Sequence, residues 1–129
     1  MATVKRFEDL EIWQDARKLS KEIINIAKQS DLKSDFKFKE QIKSSAGSIM
    51  DNIAEGFERN GNVEFRQFLS IAKGSAGEVR SQIYRLLDND YISEEKKEFL
   101  VLEYEKLSGK INNFIIYLNK NDFKGTKFQ

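Results

Sequence analysis

Proline is absent from all 129 residues. For a chain this long, that absence narrows the choice of fold more than any motif does. Its ring removes an amide donor and collides with the preceding turn, so helix interiors exclude it, while β-rich and loop-rich chains use it freely. The apolar spacing fits long helices. Ile12, Ala16, Leu19, Ile23 and Ile26 step by four and three, with Trp13, Ser20, Ile24 and Ala27 in a second column beside them. Phe38, Ile42, Ala46, Ile49, Ile53 and Phe57 make a second stripe. Phe65, Leu69, Ala72, Ala76, Val79, Ile83 and Leu86 make a third. The fourth is the most regular heptad: Leu100, Tyr104, Leu107, Ile111, Phe114 and Leu118.

Capping residues set the boundaries. Asp9 and Glu11 suit the start of the first helix, whose pattern stops near Ser30; Ser34-Asp35 opens the second, Asn62 the third and Ser93 the fourth. Asn60-Gly61-Asn62 and Asp88-Asn89-Asp90 read as turns. The expectation is one all-α domain, an antiparallel up-down-up-down four-helix bundle. Its helices should cover about 8–30, 35–59, 62–88 and 93–119, with a frayed tail at 120–129.

Composition excludes much chemistry. With neither cysteine nor histidine, the chain has no thiolate, no imidazole base and no usual transition-metal ligand set. Inward positions are Ile, Leu and Phe, so a di-iron bundle site fails as well. No apolar run suits a signal peptide or membrane span, which makes a cytoplasmic location the expectation. The chain reads as non-enzymatic, with no cofactor and no metal.

Glycine and serine stand where helix formers would be expected, in Ser44-Ser45-Ala46-Gly47-Ser48 and Lys73-Gly74-Ser75-Ala76-Gly77. Glycine inside a helix costs about 0.5–1 kcal/mol relative to alanine, so a compensating close contact is expected. With the third helix's core stripe at 0°, Ser70, Gly74, Gly77 and Ser81 fall at about 120–180°, an outer groove of small residues. Either these are neutral surface positions or they receive another helix, from this chain or a second subunit. Ile71, also off the core, would add an apolar anchor.

Two further groupings carry polar chemistry. Gln41, Ser48, Asn52, Glu55 and Arg59 share a face of the second helix, and Ser75, Glu78, Gln82 and Arg85 cluster on the third. Glu55 and Glu78 could be read as paired catalytic carboxylates. The structural reading has them satisfying neighbours across helix or subunit seams. Arg66, Lys73 and Arg80 step by seven with Tyr84 continuing the column, either a solvated face or a nucleic-acid footprint. Trp13 reads as packing at the core edge rather than as a stacking platform.

A resemblance joins these motifs. Phe7-Glu8-Asp9-Leu10-x-x-Trp13-x-x-Ala16, Gln41-Ile42, Ser48-Ile49-x-x-Asn52-Ile53-Ala54-Glu55-Gly56 and Phe65-x-x-Phe68-Leu69-x-x-Ala72-x-Gly74-Ser75-Ala76-x-Glu78 resemble a family of small bacterial four-helix-bundle proteins. Its first members were encoded in intervening sequences of 23S ribosomal RNA genes. The resemblance implies a ring-like homopentamer without known enzymatic activity. It also implies kinship to the strongly basic accessory proteins of diversity-generating retroelements, thought to bind nucleic acid and the reverse transcriptase. The motif positions carried over are Ser48, Asn52, Glu55, Gly56, Gly74, Ser75 and Glu78, read with Gly77 as assembly and packing residues. Ser44-Ser45 stands where relatives often carry arginines, and the net charge is only +1. The column Arg66, Lys73 and Arg80 favours as function a homo-oligomeric scaffold for RNA or a nucleoprotein partner. Ser44-Ser45 and the balanced charge favour the alternative, a structural or protein-interaction module with no nucleic-acid role.

Overall fold

The computed structural model describes residues 4–59 and 61–121. Four helices carry the fold: α1 (Glu11–Gln29), α2 (Phe36–Glu58), α3 (Asn62–Asp88) and α4 (Glu94–Lys120). Every residue of the first three apolar stripes is buried in one core, apart from half-buried Trp13 and Ile24 in the side column of α1. In the α4 stripe Phe114 alone is half-buried; it meets Phe65 edge-on at 5.5 Å.

Cross-helix pairs fix the directions. Ser48 meets Ser75 and Phe57 meets Phe65, so α2 and α3 run antiparallel. Asn62 reaches Leu118 while Lys97 covers Tyr84, which makes α3 and α4 antiparallel. Lys110 binds Glu11 and Asp15, and Lys96 binds Glu22, so α4 opposes α1. The up-down-up-down order follows. The α1–α4 seam is the sparsest of the four, and these ion pairs bridge it. Asp15 first, then Glu11, hold the Lys110 ammonium above the ordinary lysine pKa.

Boundaries differ from the capping pattern in three places. Leu10 turns extended, so the expected helix over 8–30 is a 3₁₀ turn, Phe7–Asp9, followed by α1. Ser30 accepts the Leu32 amide and starts a second 3₁₀ turn, Asp31–Ser34; Asp35 makes no cap bond because its carboxylate accepts the Tyr91 hydroxyl at 2.7 Å. Asn62 does not cap α3 either. Gly61, at φ 102°, holds the N-cap position, and the Asn62 amide donates to the carbonyls of Leu118 and Asn121 at 2.8 and 2.7 Å. One helix start thus satisfies the orphan carbonyls at another's end. Ser93 does cap α4, accepting from the Lys96 amide. Asp88-Asn89-Asp90 does end α3: Asp90 takes φ 60°, and the amides of Asp90 and Tyr91 return to the carbonyls of Leu87 and Leu86. Helix α4 reaches Lys120; from residue 122 the expected frayed tail lies outside the described residues, as does Asn60.

Tyr104 is fully buried, and its hydroxyl has no hydrogen-bond partner among the described residues. Burial, then the charge of Glu22, push its pKa up, so the phenol stays neutral. An unsatisfied buried donor costs about 1–3 kcal/mol. Tyr104→Phe is therefore expected to raise the melting temperature, with a gain of about 1 kcal/mol. Calorimetry showing a lower melting temperature would mean the hydroxyl is satisfied in solution.

Candidate functional site: a polar seam and an open groove on α3

The motif residues divide between two faces of α3. On the α2 side, Ser48 Oγ and Ser75 Oγ lie 3.0 Å apart, and the Asn52 amide donates to Ser48 Oγ at 2.9 Å and to the Ser48 carbonyl at 2.8 Å. Three of the expected residues thus form one partly buried relay within the chain. Its geometry pins helix register and offers no base or nucleophile with a displaced proton. Directly beyond it, a Cβ built on Gly56 would sit 2.7 Å from Phe68 Cβ and 2.8 Å from Phe65 Cδ1. Gly56 is glycine because α3 passes there.

The carboxylates of the grouping do not converge. Glu55 closes on Arg59 of its own helix at 2.8 Å. Glu78 is exposed, with no hydrogen bond or ion pair among the described residues. Within the chain Glu55 and Glu78 therefore do not pair, either with each other or across the α2–α3 seam. An exposed i,i+4 pair such as Glu55–Arg59 contributes only about 0.3–0.5 kcal/mol. Arg85 leaves the cluster too, its guanidinium lying 4.2 Å over Phe38. Gln82 is buried, and neither amide atom finds a partner among the described residues.

The α4 side of α3 is different. Gly74 and Gly77 have open space where a Cβ would go, as does Gly109 on α4. The close contact their cost implies is therefore not made within the chain. Gly74 and Gly77 line a groove of about 510 Å³ along the α3–α4 seam, together with Ser70, Lys73, Arg80, Ser108, Asn112 and Ile115. Residues seven apart stand in line along a helix. On α3 that line is Val63, Ser70, Gly77 and Tyr84; on the outer face of α4 it is Leu102, Gly109 and Ile116. Each is small in the middle and apolar at its ends, and Val63, Tyr84, Leu102 and Ile116 are all exposed. Ile71, on the other flank of α3, is exposed as expected.

The expected basic column is only partly free. Arg66 Nη1 donates to Asn119 Oδ1 at 2.9 Å, tying α3 to the end of α4. Lys73 is exposed and Arg80 half-buried, while Lys97 lies over the Tyr84 ring at 5.3 Å. Lys73 and Arg80 of the column thus share the lining of the groove, which spacing alone did not show.

A family model for the 23S rRNA-intervening sequence proteins matches residues 8–113. The chain belongs to that family. No curated protein matches it. Among solved structures it is similar to a protein of Bacteroides thetaiotaomicron VPI-5482, described as of unknown function and from the S23 ribosomal protein family. That likeness has a TM-score of 0.72 and 23% sequence identity, and covers 81% of this chain and 94% of the other. At such identity it shows the shared fold alone. The cores of α1, α2 and α3, the core of α4 as far as Ile111, the Ser48–Asn52–Ser75 relay, Gly56 and most of the groove lie within the span matched to the intervening-sequence family. Among the described residues no cluster of three or more acidic side chains is placed to hold a metal ion, and no helix is long and apolar enough to cross a membrane.

Proposed function

We propose that this intervening-sequence-family chain is a non-enzymatic scaffold, assembled as a homopentamer, that presents a repeated cationic surface to RNA or a nucleoprotein. One observation carries the reading: the groove between α3 and α4 is open where Gly74 and Gly77 line it, and Lys73 and Arg80 line it with them. Glycines that cost helix stability and touch nothing within the chain fit a surface on which another helix packs closely. The five-fold number rests on the family resemblance. A ring would repeat Lys73 and Arg80 five times, so contacts weak in one subunit would act together.

Light scattering is the first test. The parent is expected near five chains of 15.0 kDa, that is 75 kDa. Gly74→Leu or Gly77→Leu should yield a lower mass with undiminished helical circular dichroism. A parent that runs at 15.0 kDa overturns the assembly reading. The exposed Val63, Tyr84, Leu102 and Ile116 on α3 and α4 favour a second reading, a protein-interaction module without nucleic acid. RNA titration of the intact oligomer at roughly 50 and 200 mM salt separates the two, since phosphate contacts weaken steeply over that range.

A further inference from the structure

The solvent face of α1 carries a second charged surface, remote from the groove. The acids of α1 are spent against α4: Glu11 and Asp15 on Lys110, and Glu22 on Lys96. Arg17 and Lys21 point the other way, while Lys18 stands at the acidic edge and also borders the α1–α4 seam beside Asp15 and Lys110. Arg17, Lys18 and Lys21 are exposed, and none takes an acidic partner among the described residues. They line an open depression of about 460 Å³ together with Trp13 and Gln14. Glu8 is also there, but its carboxylate is held by Arg6 at 2.7 Å, and the Gln14 amide is turned onto the Glu8 carbonyl. The half-buried Trp13 ring is braced edge-on by Phe7 at 5.2 Å, with the Arg17 guanidinium loosely over it at 5.7 Å.

We infer that this depression binds single-stranded RNA, an unpaired base stacking at Trp13 and Arg17 while Lys18 and Lys21 take flanking phosphates. A basic surface beside a fixed aromatic is what sequence-tolerant single-strand binding uses, because every base has a π-face and every nucleotide a phosphate. A guanidinium plane also serves as a stacking partner, so Arg17 extends the platform rather than blocking it. Duplex RNA keeps its bases stacked inside and offers only phosphates. The inference rests on the RNA part of the proposed function and gives that ligand a site other than the groove.

Trp13 is the only tryptophan of the chain, so its fluorescence reports this site directly. A mixed-sequence single-stranded RNA of about 12 nucleotides is titrated against the full chain, then the same sequence as a duplex, then inorganic polyphosphate. Quenching is expected with the single strand and not with the duplex or polyphosphate. Two phosphate contacts on a single strand predict an affinity loss of about 7-fold between roughly 50 and 200 mM salt. The triple variant Arg17→Gln, Lys18→Gln, Lys21→Gln should lose quenching at an unchanged oligomer mass. The groove variant Arg66→Gln, Lys73→Gln, Arg80→Gln should keep it. Equal quenching by polyphosphate, or quenching lost in the groove variant and kept in the α1 variant, overturns the inference. Binding seen by anisotropy without any change at Trp13 overturns it too, while leaving RNA binding by the groove intact. No binding of any RNA removes both.

Discussion

Gly56→Ala is expected to destabilise the bundle by about 1–3 kcal/mol, the usual penalty for overpacking a filled core. In helix interiors the same change ordinarily gains about 0.5–1 kcal/mol, because alanine loses less freedom on folding. The sign reverses here because the new methyl has nowhere to go. Phe68 Cβ, 2.7 Å away, is fixed to the α3 backbone, and the Phe65 ring at 2.8 Å is wedged edge-on between Phe57 and Phe114. Relief requires α2 and α3 to separate, which would also stretch the Ser48–Ser75 contact about two turns away. Gly47 is the internal control: it lies on the same helix with open space at its Cβ, so Gly47→Ala should stabilise. Denaturant midpoints of the two variants should move in opposite directions from the parent. If Gly56→Ala moves with Gly47→Ala, the close approach of the helices is absent in solution.

How much of this was legible in the sequence depends on what kind of signal each feature leaves. The core was legible because burial is periodic: Ile42, Ile49 and Ile53 announce their face by spacing alone. Capping was half legible. Ser93 does what a serine before a helix usually does, whereas Asp35 and Asn62 have the right chemistry and other partners. Those partners, Tyr91 and the end of α4, are 56 to 59 residues away, a distance no local rule can span. Glycine was the ambiguous signal. Gly56 and Gly74 look alike in sequence, yet one is enclosed by phenylalanines and the other faces open space. The α1 surface was missed because its cations were weighed by net charge, which cancels to +1. Charge by helix edge would have found it, since Glu11, Asp15 and Glu22 fall on one side of α1 and Arg17 and Lys21 on the other.

Gln82→Leu is expected to stabilise the bundle by about 2 kcal/mol. The side chain is 2% exposed on the α2 side of α3, and neither its amide nitrogen nor its oxygen has a hydrogen-bond partner among the described residues. Each such group carries a desolvation cost of about 1–3 kcal/mol, and replacing it with an apolar side chain of similar volume removes that cost while keeping the packing. The seam around it is otherwise satisfied: Ser45 donates to the Gln41 carbonyl, Ser48 and Ser75 hold each other, and Arg85 rests on Phe38. Gln82 alone is left over, in a position where leucine would extend the stripe of Val79, Ile83 and Leu86. For a domain of this size, about 2 kcal/mol corresponds to a rise of roughly 5–10 °C in melting temperature. Calorimetry and light scattering on the same samples decide what the amide does. A higher melting temperature at unchanged oligomer mass marks Gln82 as a cost the bundle simply tolerates. A more stable chain that no longer assembles would show that the amide turns outward to a second subunit. A lower melting temperature would sink the premise that it is unsatisfied.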